Sequence, residues 1–269
     1  MELSLTEIIV LAVVQGVTEF LPVSSSGHLV IVAALMADGD VDRFDVGDVN
    51  ICLHGGTLVS IVVFYWQRLW QLLSTDRGLL VPLFVATVPA VVIGLGMKLS
   101  GIDTFLSSPL LAGCMLPVTG LILIWASRHA SGHDECKQLS KTNAALIGLS
   151  QAFAILPGVS RSGTTISMGL RSGLAPTAAA TFSFLMAIPV IGGACLLEIV
   201  KLAREASKLP APNETSPLLH LGIGAAVSYT VGLISLWLLV NWLERGRFQY
   251  FAAWCIPVGM GVVIWQLFR

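Results

Sequence analysis

Glu19-Phe-Leu-Pro-Val-Ser-Ser-Ser-Gly-His28 sits in the middle of an apolar stretch, and so does a second polar run, Leu156-Pro-Gly-Val-Ser-Arg161-Ser-Gly-Thr-Thr165. Ionisable side chains are costly in such places. An Arg at the centre of a membrane helix costs about 2.5–3.5 kcal/mol on insertion scales. Intramembrane charge therefore raises the expectation of a functional site, with a partner to be named. Each run offers partners for the other. One carries an acid, an imidazole and hydroxyls; the other carries a guanidinium and hydroxyls.

Around these runs the chain is lipid-like. Of its 269 residues, 55% are hydrophobic and 12% charged, where a soluble domain has about 25% charged. Mean hydropathy is +0.83. The chain reads as an all-α integral membrane protein, one membrane domain over 1–269. A net charge of −1 gives no basic footprint, so no nucleic-acid partner is expected. Five cysteines (Cys52, Cys114, Cys136, Cys195, Cys255) show no CxxC spacing and read as small apolar filler. No Lys or Arg precedes the first apolar run, so a cleavable signal peptide is not expected.

A spanning helix needs about 20 mostly apolar residues. Six stretches qualify: Val49–Trp66, Leu79–Met97, Pro109–Trp125, Ala178–Leu197, Leu218–Trp242 and Phe248–Phe268. Two regions do not. Leu5–Phe20 breaks at Pro22 and resumes as Ser26–Met36; Thr142–Leu156 breaks at Pro157-Gly158 and resumes as Ser162–Leu170. Pro removes a helix hydrogen bond and Gly permits a tight turn. Each region reads as two half-helices meeting at a polar turn, a re-entrant hairpin, rather than one long kinked span. Non-helical backbone at that depth is tolerated only inside protein or beside a wet cavity.

The order is hairpin, three spans, hairpin, three spans. Halves of about 1–130 and 140–269 repeat one plan. Because three is odd, the second half is inverted, and the hairpins enter from opposite faces to meet near the midplane. On this plan Arg43, Lys98, Lys201, Arg204, Lys208 and Arg269 share the N-terminal side. Arg68, Arg77, Arg128, Lys137, Lys141, Arg171, Arg245 and Arg247 lie opposite. That excess leans toward an extracytoplasmic N-terminus. The loop Asp38–Asp48 reads as a solvated surface, since it lacks the Glu that closes a calcium loop.

Each turn feeds the start of a half-helix, where free N–H groups and the positive dipole end favour anions. Ser24, Ser25 and Ser26 supply hydroxyls at one start; Ser160, Ser162 and Thr165 do so at the other. Gly27 and Gly163 let an anion approach the backbone. Arg161 brings a planar fork matched to phosphate oxygens. Such Ser and Gly residues also simply cap and pack helices, but not as a set with Arg161 and His28. Gln15 and Glu19, four apart, share a helix face. Glu19, Ser25 and His28 are the parts of an activated nucleophile. His28 is expected to take a proton from Ser25 or give one to a leaving oxygen, and Glu19 to orient His28 or help hold a cation. His54, beside Gly55-Gly56 in the first full span, is a secondary candidate. His129, His133 and His220 are expected in loops or near helix ends.

These residues resemble the two signatures of bacterial undecaprenyl-diphosphate phosphatases of the bacitracin-resistance type, carried on Gln15–His28 and Leu156–Thr165. The resemblance extends through Phe182-Ser-Phe-Leu-Met-Ala-Ile-Pro189 and the span spacing, nearly the whole chain. It implies hydrolysis of undecaprenyl diphosphate to undecaprenyl phosphate, recycling the carrier of cell-wall synthesis. It also implies a multi-pass plasma-membrane protein whose site opens to the outer side, and it is compatible with a homodimer. Carried over, Ser25 matches the nucleophile, His28 the essential histidine and Glu19 the second acid of an (E/Q)xxxE motif. Arg161 matches the phosphate-binding arginine, with Ser160 and Thr165 beside it. Gln15 stands where many members carry Glu. Any divalent cation, Mg or Ca, would thus find only Glu19 as a carboxylate here.

The diphosphate wants the anion pocket and the polyprenyl tail wants lipid. Attack by Ser25 through a phosphoserine and direct attack by water both fit the residues. One rival is a lipid-headgroup transporter or flippase, for which the Glu19/Ser25/His28 set has no evident use. Another is the acid-phosphatase superfamily, which wants a His six residues after its SR arginine; here that position is Ser167.

Overall fold

The structure, a computed structural model, describes residues 4–36, 47–101, 106–128, 132–206 and 216–268. Most of the acidic loop (Asp38, Asp40, Asp42, Asp45), His129, Arg43, Lys208 and Arg269 lie outside the described residues. The described residues are helical, apart from turns and one isolated bridge between Asp134 and Leu174. Among the described residues, five helices are long and apolar enough to cross a membrane, or six if a bent pair counts as one span. This is a multi-pass membrane architecture.

The first helix, α1 (Leu5–Phe20), starts on a capping box: Ser4 accepts from the Glu7 amide, and the Glu7 carboxylate accepts from the Ser4 amide. It ends at Leu21, which is extended because Pro22 follows. The chain restarts as α2 (Ser25–Met36). α3 (Gly47–Phe64) turns by 67° at Tyr65 into α4 (Trp66–Ser74). The spans α5 (Leu80–Ser100) and α6 (Pro109–Ser127) follow. A second broken pair, α7 (Lys141–Phe153) and α8 (Arg161–Arg171), precedes α9 (Pro176–Ala206), α10 (Ser216–Glu244) and α11 (Ala252–Leu267).

The bend at Tyr65 departs from the expected span Val49–Trp66. Its cause is visible at the helix end. α4 exposes Trp66, Trp70 and Leu73, while Arg68 reaches Asp76 at 2.6 Å and Lys137 meets the same carboxylate at 2.9 Å. An aromatic face with a charged anchor lies along an interface rather than crossing it. Phe248–Phe251, expected at the start of the last span, forms a separate 3-10 turn before α11.

Glycines decide which helices approach closely. A methyl on Gly259 of α11 would stand 2.4 Å from Pro117 of α6, and one on Gly120 of α6 2.7 Å from Ile256 of α11. Likewise Gly148 of α7 lies against the Ala86 carbonyl of α5, and Gly16 of α1 against Val231 of α10. Small residues permit this contact where lipid supplies no hydrophobic drive between helices. Phe20, Phe182, Phe184, Leu123, Ile166 and Met186 form the buried centre. Outward faces carry Phe84, Val92, Leu99, Leu121 and Ile234, a pattern suited to acyl chains rather than water.

Candidate active site

The two helix breaks touch. Ser24 has φ +71°, the only non-glycine with positive φ among the described residues. Such backbone is uncommon outside Gly, Asn and Asp and marks positions held by their surroundings. What holds it is a set of hydrogen bonds. Ser24 Oγ accepts from the Gly27 amide at 3.3 Å and, across the interface, from the Gly158 amide at 3.1 Å. A Cβ on Gly27 would fall 2.8 Å from Gly158 Cα, so only glycine fits at this crossing. Thr119 of α6 pins the second break from behind. Its hydroxyl donates to the Gly158 carbonyl at 2.7 Å and accepts from the Ser160 amide at 3.0 Å.

This convergence brings Glu19, at the end of α1, against Arg161, at the start of α8, as an ion pair. The Glu19 side chain is only 5% exposed. Its other oxygen, Oε2, accepts from Ser25 Oγ at 2.7 Å and from Gln15 Nε2 at 3.1 Å. His54 Nε2 lies 3.8 Å from the same oxygen. Arg161 Nη1 is buried without a protein partner. An unpaired guanidinium nitrogen in such a place is costly, and a phosphate oxygen would complete it.

His28 is arranged differently from the expectation. Its Nδ1 lies 2.8 Å from the Ser24 carbonyl, so that nitrogen carries the proton. Its Nε2 accepts from the indole N–H of Trp254 at 2.9 Å. Neither ring nitrogen is directed at Ser25, whose hydroxyl goes to Glu19. Glu19 in turn does not orient His28. The imidazole instead buttresses the strained Ser24 turn from α2, with Trp254 of α11 holding its far side.

The remaining hydroxyls of the expected phosphate cradle are engaged within the protein. Ser160 caps α8 by accepting from the Gly163 amide at 3.0 Å, with Ser162 Oγ 3.2 Å away. Thr165 donates to the Arg161 carbonyl at 2.8 Å and meets Ser183 of α9 at 2.6 Å. Ser26 is exposed, its Oγ 3.4 Å from that of Ser24. What remains for an anion is Arg161 Nη1 and the first amides of α2 and α8, which have no intrahelical acceptor by construction. His133 is exposed, as expected for a loop, and His220 lies in the first turns of α10.

A divalent cation wants several oxygen ligands. The site offers one carboxylate, and that carboxylate already holds Arg161. No group of three His, Cys, Asp or Glu occurs among the described residues. This donor set does not fit such an ion.

Trp254, Thr119 and Ser183 were not among the residues singled out from sequence. Thr119 is a lone hydroxyl within an apolar span, a usable signal, and Ser183 lies inside the stretch Phe182–Pro189 without being distinguished from it. Trp254 gave none, since an aromatic near a span end is an ordinary interfacial anchor.

A family model described as bacitracin resistance protein BacA matches residues 8–261. An undecaprenyl-diphosphatase of Rhodopirellula baltica is 46% identical over 98% of both chains. One from Desulforudis audaxviator is 36% identical over 97% of both. One from Psychrobacter cryohalolentis is 34% identical over 97% of this chain and 94% of its own.

Proposed function

The chain belongs to the bacitracin resistance protein BacA family, and from that premise we propose that it is an undecaprenyl-diphosphatase. It hydrolyses undecaprenyl diphosphate to undecaprenyl phosphate and inorganic phosphate, recycling a lipid carrier of cell-wall synthesis and conferring bacitracin resistance. The observation that carries the reading is Ser25 Oγ, 2.7 Å from a carboxylate whose other oxygen holds Arg161 of the opposite break. A nucleophile, its base and an anion-binding cation meet at one point. A carrier has no evident use for the first two.

In this reading Arg161 leaves Glu19 for the substrate's terminal phosphate, and Nη1 gains its missing acceptor. Glu19 takes the Ser25 proton as Oγ attacks the terminal phosphorus. The bond to the bridging oxygen breaks, and undecaprenyl phosphate departs as an anion. Glu19 then releases that proton toward solvent; water attacks the phosphoserine, giving a proton to Glu19, and Ser25 Oγ recovers a proton as phosphate leaves. Arg161 and the half-helix amides neutralise the charge that develops. Ser24, Ser160, Ser162, Thr165, Gln15 and His28 hold this geometry, and the exposed Ser26 meets the headgroup.

The two broken helices act as re-entrant hairpins within six spans, α3 bent, arranged as an inverted repeat. Support comes from pairing and register. α1 packs on α10 as α7 packs on α5, while α6 meets α11 and α3 meets α9. Val23-Ser-Ser-Ser-Gly27 lines up with Val159-Ser-Arg-Ser-Gly163, and that register sets Gln15 on Gln151. The enzyme sits in the bacterial inner membrane with its site toward the extracytoplasmic side and the polyprenyl tail in lipid. A homodimer is compatible with this arrangement.

The test is release of phosphate from undecaprenyl diphosphate by the purified chain. Ser25→Ala and Arg161→Ala should each lower turnover by about 10²–10³, the scale of one lost transition-state group. Phosphate trapped on Ser25 marks the covalent route. Turnover that survives both substitutions places the chemistry elsewhere.

A further inference from the structure

The proposed reaction leaves one proton over. A diphosphate monoester carrying three negative charges and water give a phosphate monoester and hydrogen phosphate, two negative charges each, plus one proton. The leaving phosphate needs no protonation, so the proton drawn from Ser25 stays on Glu19. Glu19 must lose it before it can accept another from the water that opens the phosphoserine. Its side chain is 5% exposed and surrounded by Gln15, Ser25 and Arg161.

We infer that His54 carries this proton from Glu19 toward solvent, which deepens the phosphatase reading and rests on it. The imidazole comes from a separate element, α3. Its Nδ1 lies 2.9 Å from the Asn50 carbonyl, so that nitrogen holds the hydrogen and Nε2 presents a lone pair. That lone pair is 3.8 Å from Glu19 Oε2, the oxygen that receives the Ser25 proton. Two lone pairs attract nothing in the resting site, which accounts for the open distance. Once Oε2 carries a proton, a small approach makes it a hydrogen bond along which the proton can pass. His54 has the exposure that Glu19 lacks, 26% of its side chain. A Cβ added to the neighbouring Gly55 would meet nothing within 4 Å. The other ionisable groups around it are Cys52, two residues before it on α3, Cys195 of α9, whose Sγ lies 3.9 Å from the Ile51 carbonyl of α3, and Arg161 of α8 on the other oxygen of the carboxylate. His54 then returns the proton to water, and nothing else is consumed.

The experiment compares the two half-reactions in purified full-length wild type, His54→Gln and His54→Ala with undecaprenyl diphosphate as substrate. Rapid quenching measures the first equivalent of undecaprenyl phosphate; steady-state phosphate release measures the cycle. In His54→Gln the first equivalent should form at close to the wild-type rate. Steady-state kcat should fall about 100-fold, with phosphate accumulating on Ser25 and KM falling alongside it, so that kcat/KM stays close to wild type. Added imidazole should restore His54→Ala. Wild-type turnover in His54→Gln overturns the inference. So does equal loss of both half-reactions with no imidazole rescue, which is the mark of a merely structural residue. Failure of the phosphatase reading has a separate signature, a wild-type chain that releases no phosphate or a Ser25→Ala variant that still does.

Discussion

Glu19→Gln and Arg161→Met, made singly and together, test the convergence of the two breaks without reference to activity. The two side chains are 5% and 18% exposed. Removing one partner of such a pair leaves an uncompensated charge, at about 3–5 kcal/mol. Glu19→Gln should sit at the upper end, because Arg161 Nη1 already lacks a protein partner. Arg161→Met should cost less, because Ser25 and Gln15 still donate to the carboxylate. The double variant carries neither charge. Its loss should fall short of the sum of the single losses by about 2–3 kcal/mol, within the range for residues in contact. The assay is reversible unfolding in mixed micelles followed by circular dichroism. Single losses that add within about 0.5 kcal/mol would mean that the two charges do not meet. Because Glu19 belongs to α1 and Arg161 to α8, that outcome would separate the breaks and remove the site.

Gly27→Ala should abolish phosphate release and lower stability by about 1–3 kcal/mol, since its methyl would stand 2.8 Å from Gly158 backbone; an active, stable variant would refute the crossing. Trp254→Phe removes the N–H that holds His28 Nε2, and a net hydrogen bond of about 0.5–1.5 kcal/mol translates to a fall in kcat/KM of roughly 2–12-fold, checked by steady-state kinetics. Lys137, hydrogen-bonded to Asp76, and Arg68 beside it hold the Asp76 carboxyl below the usual carboxylate range. That contribution is present above the unfolded value of about 3.9 and is lost as pH falls through the lower folded value. The melting advantage of wild type over Asp76→Asn should therefore hold from neutral pH down to about 5 and close in stronger acid. A gap that stays open in stronger acid would count against the pairing.

Pro22, Pro157 and Gly158 made both helix breaks legible in the sequence, because proline and glycine act on the backbone whatever surrounds them. Membrane helices were legible from long apolar runs for the same local reason. The bend at Tyr65 was not, since Trp66 continues the apolar run and the anchor beyond it, Asp76 held by both Arg68 and Lys137, draws one partner from a distant stretch of chain. In the site, residue types were legible and their pairing was not. His28 is three residues from Ser25, so local spacing favoured it as the proton acceptor. Both its nitrogens are occupied, one by Ser24 and the other by Trp254, which lies 226 positions away. A partner at that separation leaves no trace in local pattern. Thr119 stands out as a hydroxyl in an apolar span, but the second break that it binds lies 39 and 41 positions away, so its role was not legible.

The resting ion pair also bears on when Glu19 becomes a base. While the site is empty, Arg161 and Glu19 neutralise each other, which keeps two charges tolerable in a low-dielectric setting. In the proposed reaction, a diphosphate takes Arg161 for itself. Glu19 then loses its counter-ion and gains anionic neighbours, and both changes favour protonation of a carboxylate. Among the described residues, the protons in hydrogen-bond contact with Oε2 belong to Ser25 and to the Gln15 amide, and an amide does not give up its proton under these conditions. Substrate binding would thus make the carboxylate basic at the moment a phosphorus atom stands before the serine. Before that moment, the same arrangement keeps Ser25 a neutral hydroxyl. The two breaks are consequently not interchangeable. In matched register one carries Ser25 where the other carries Arg161, and the proposed chemistry needs one of each.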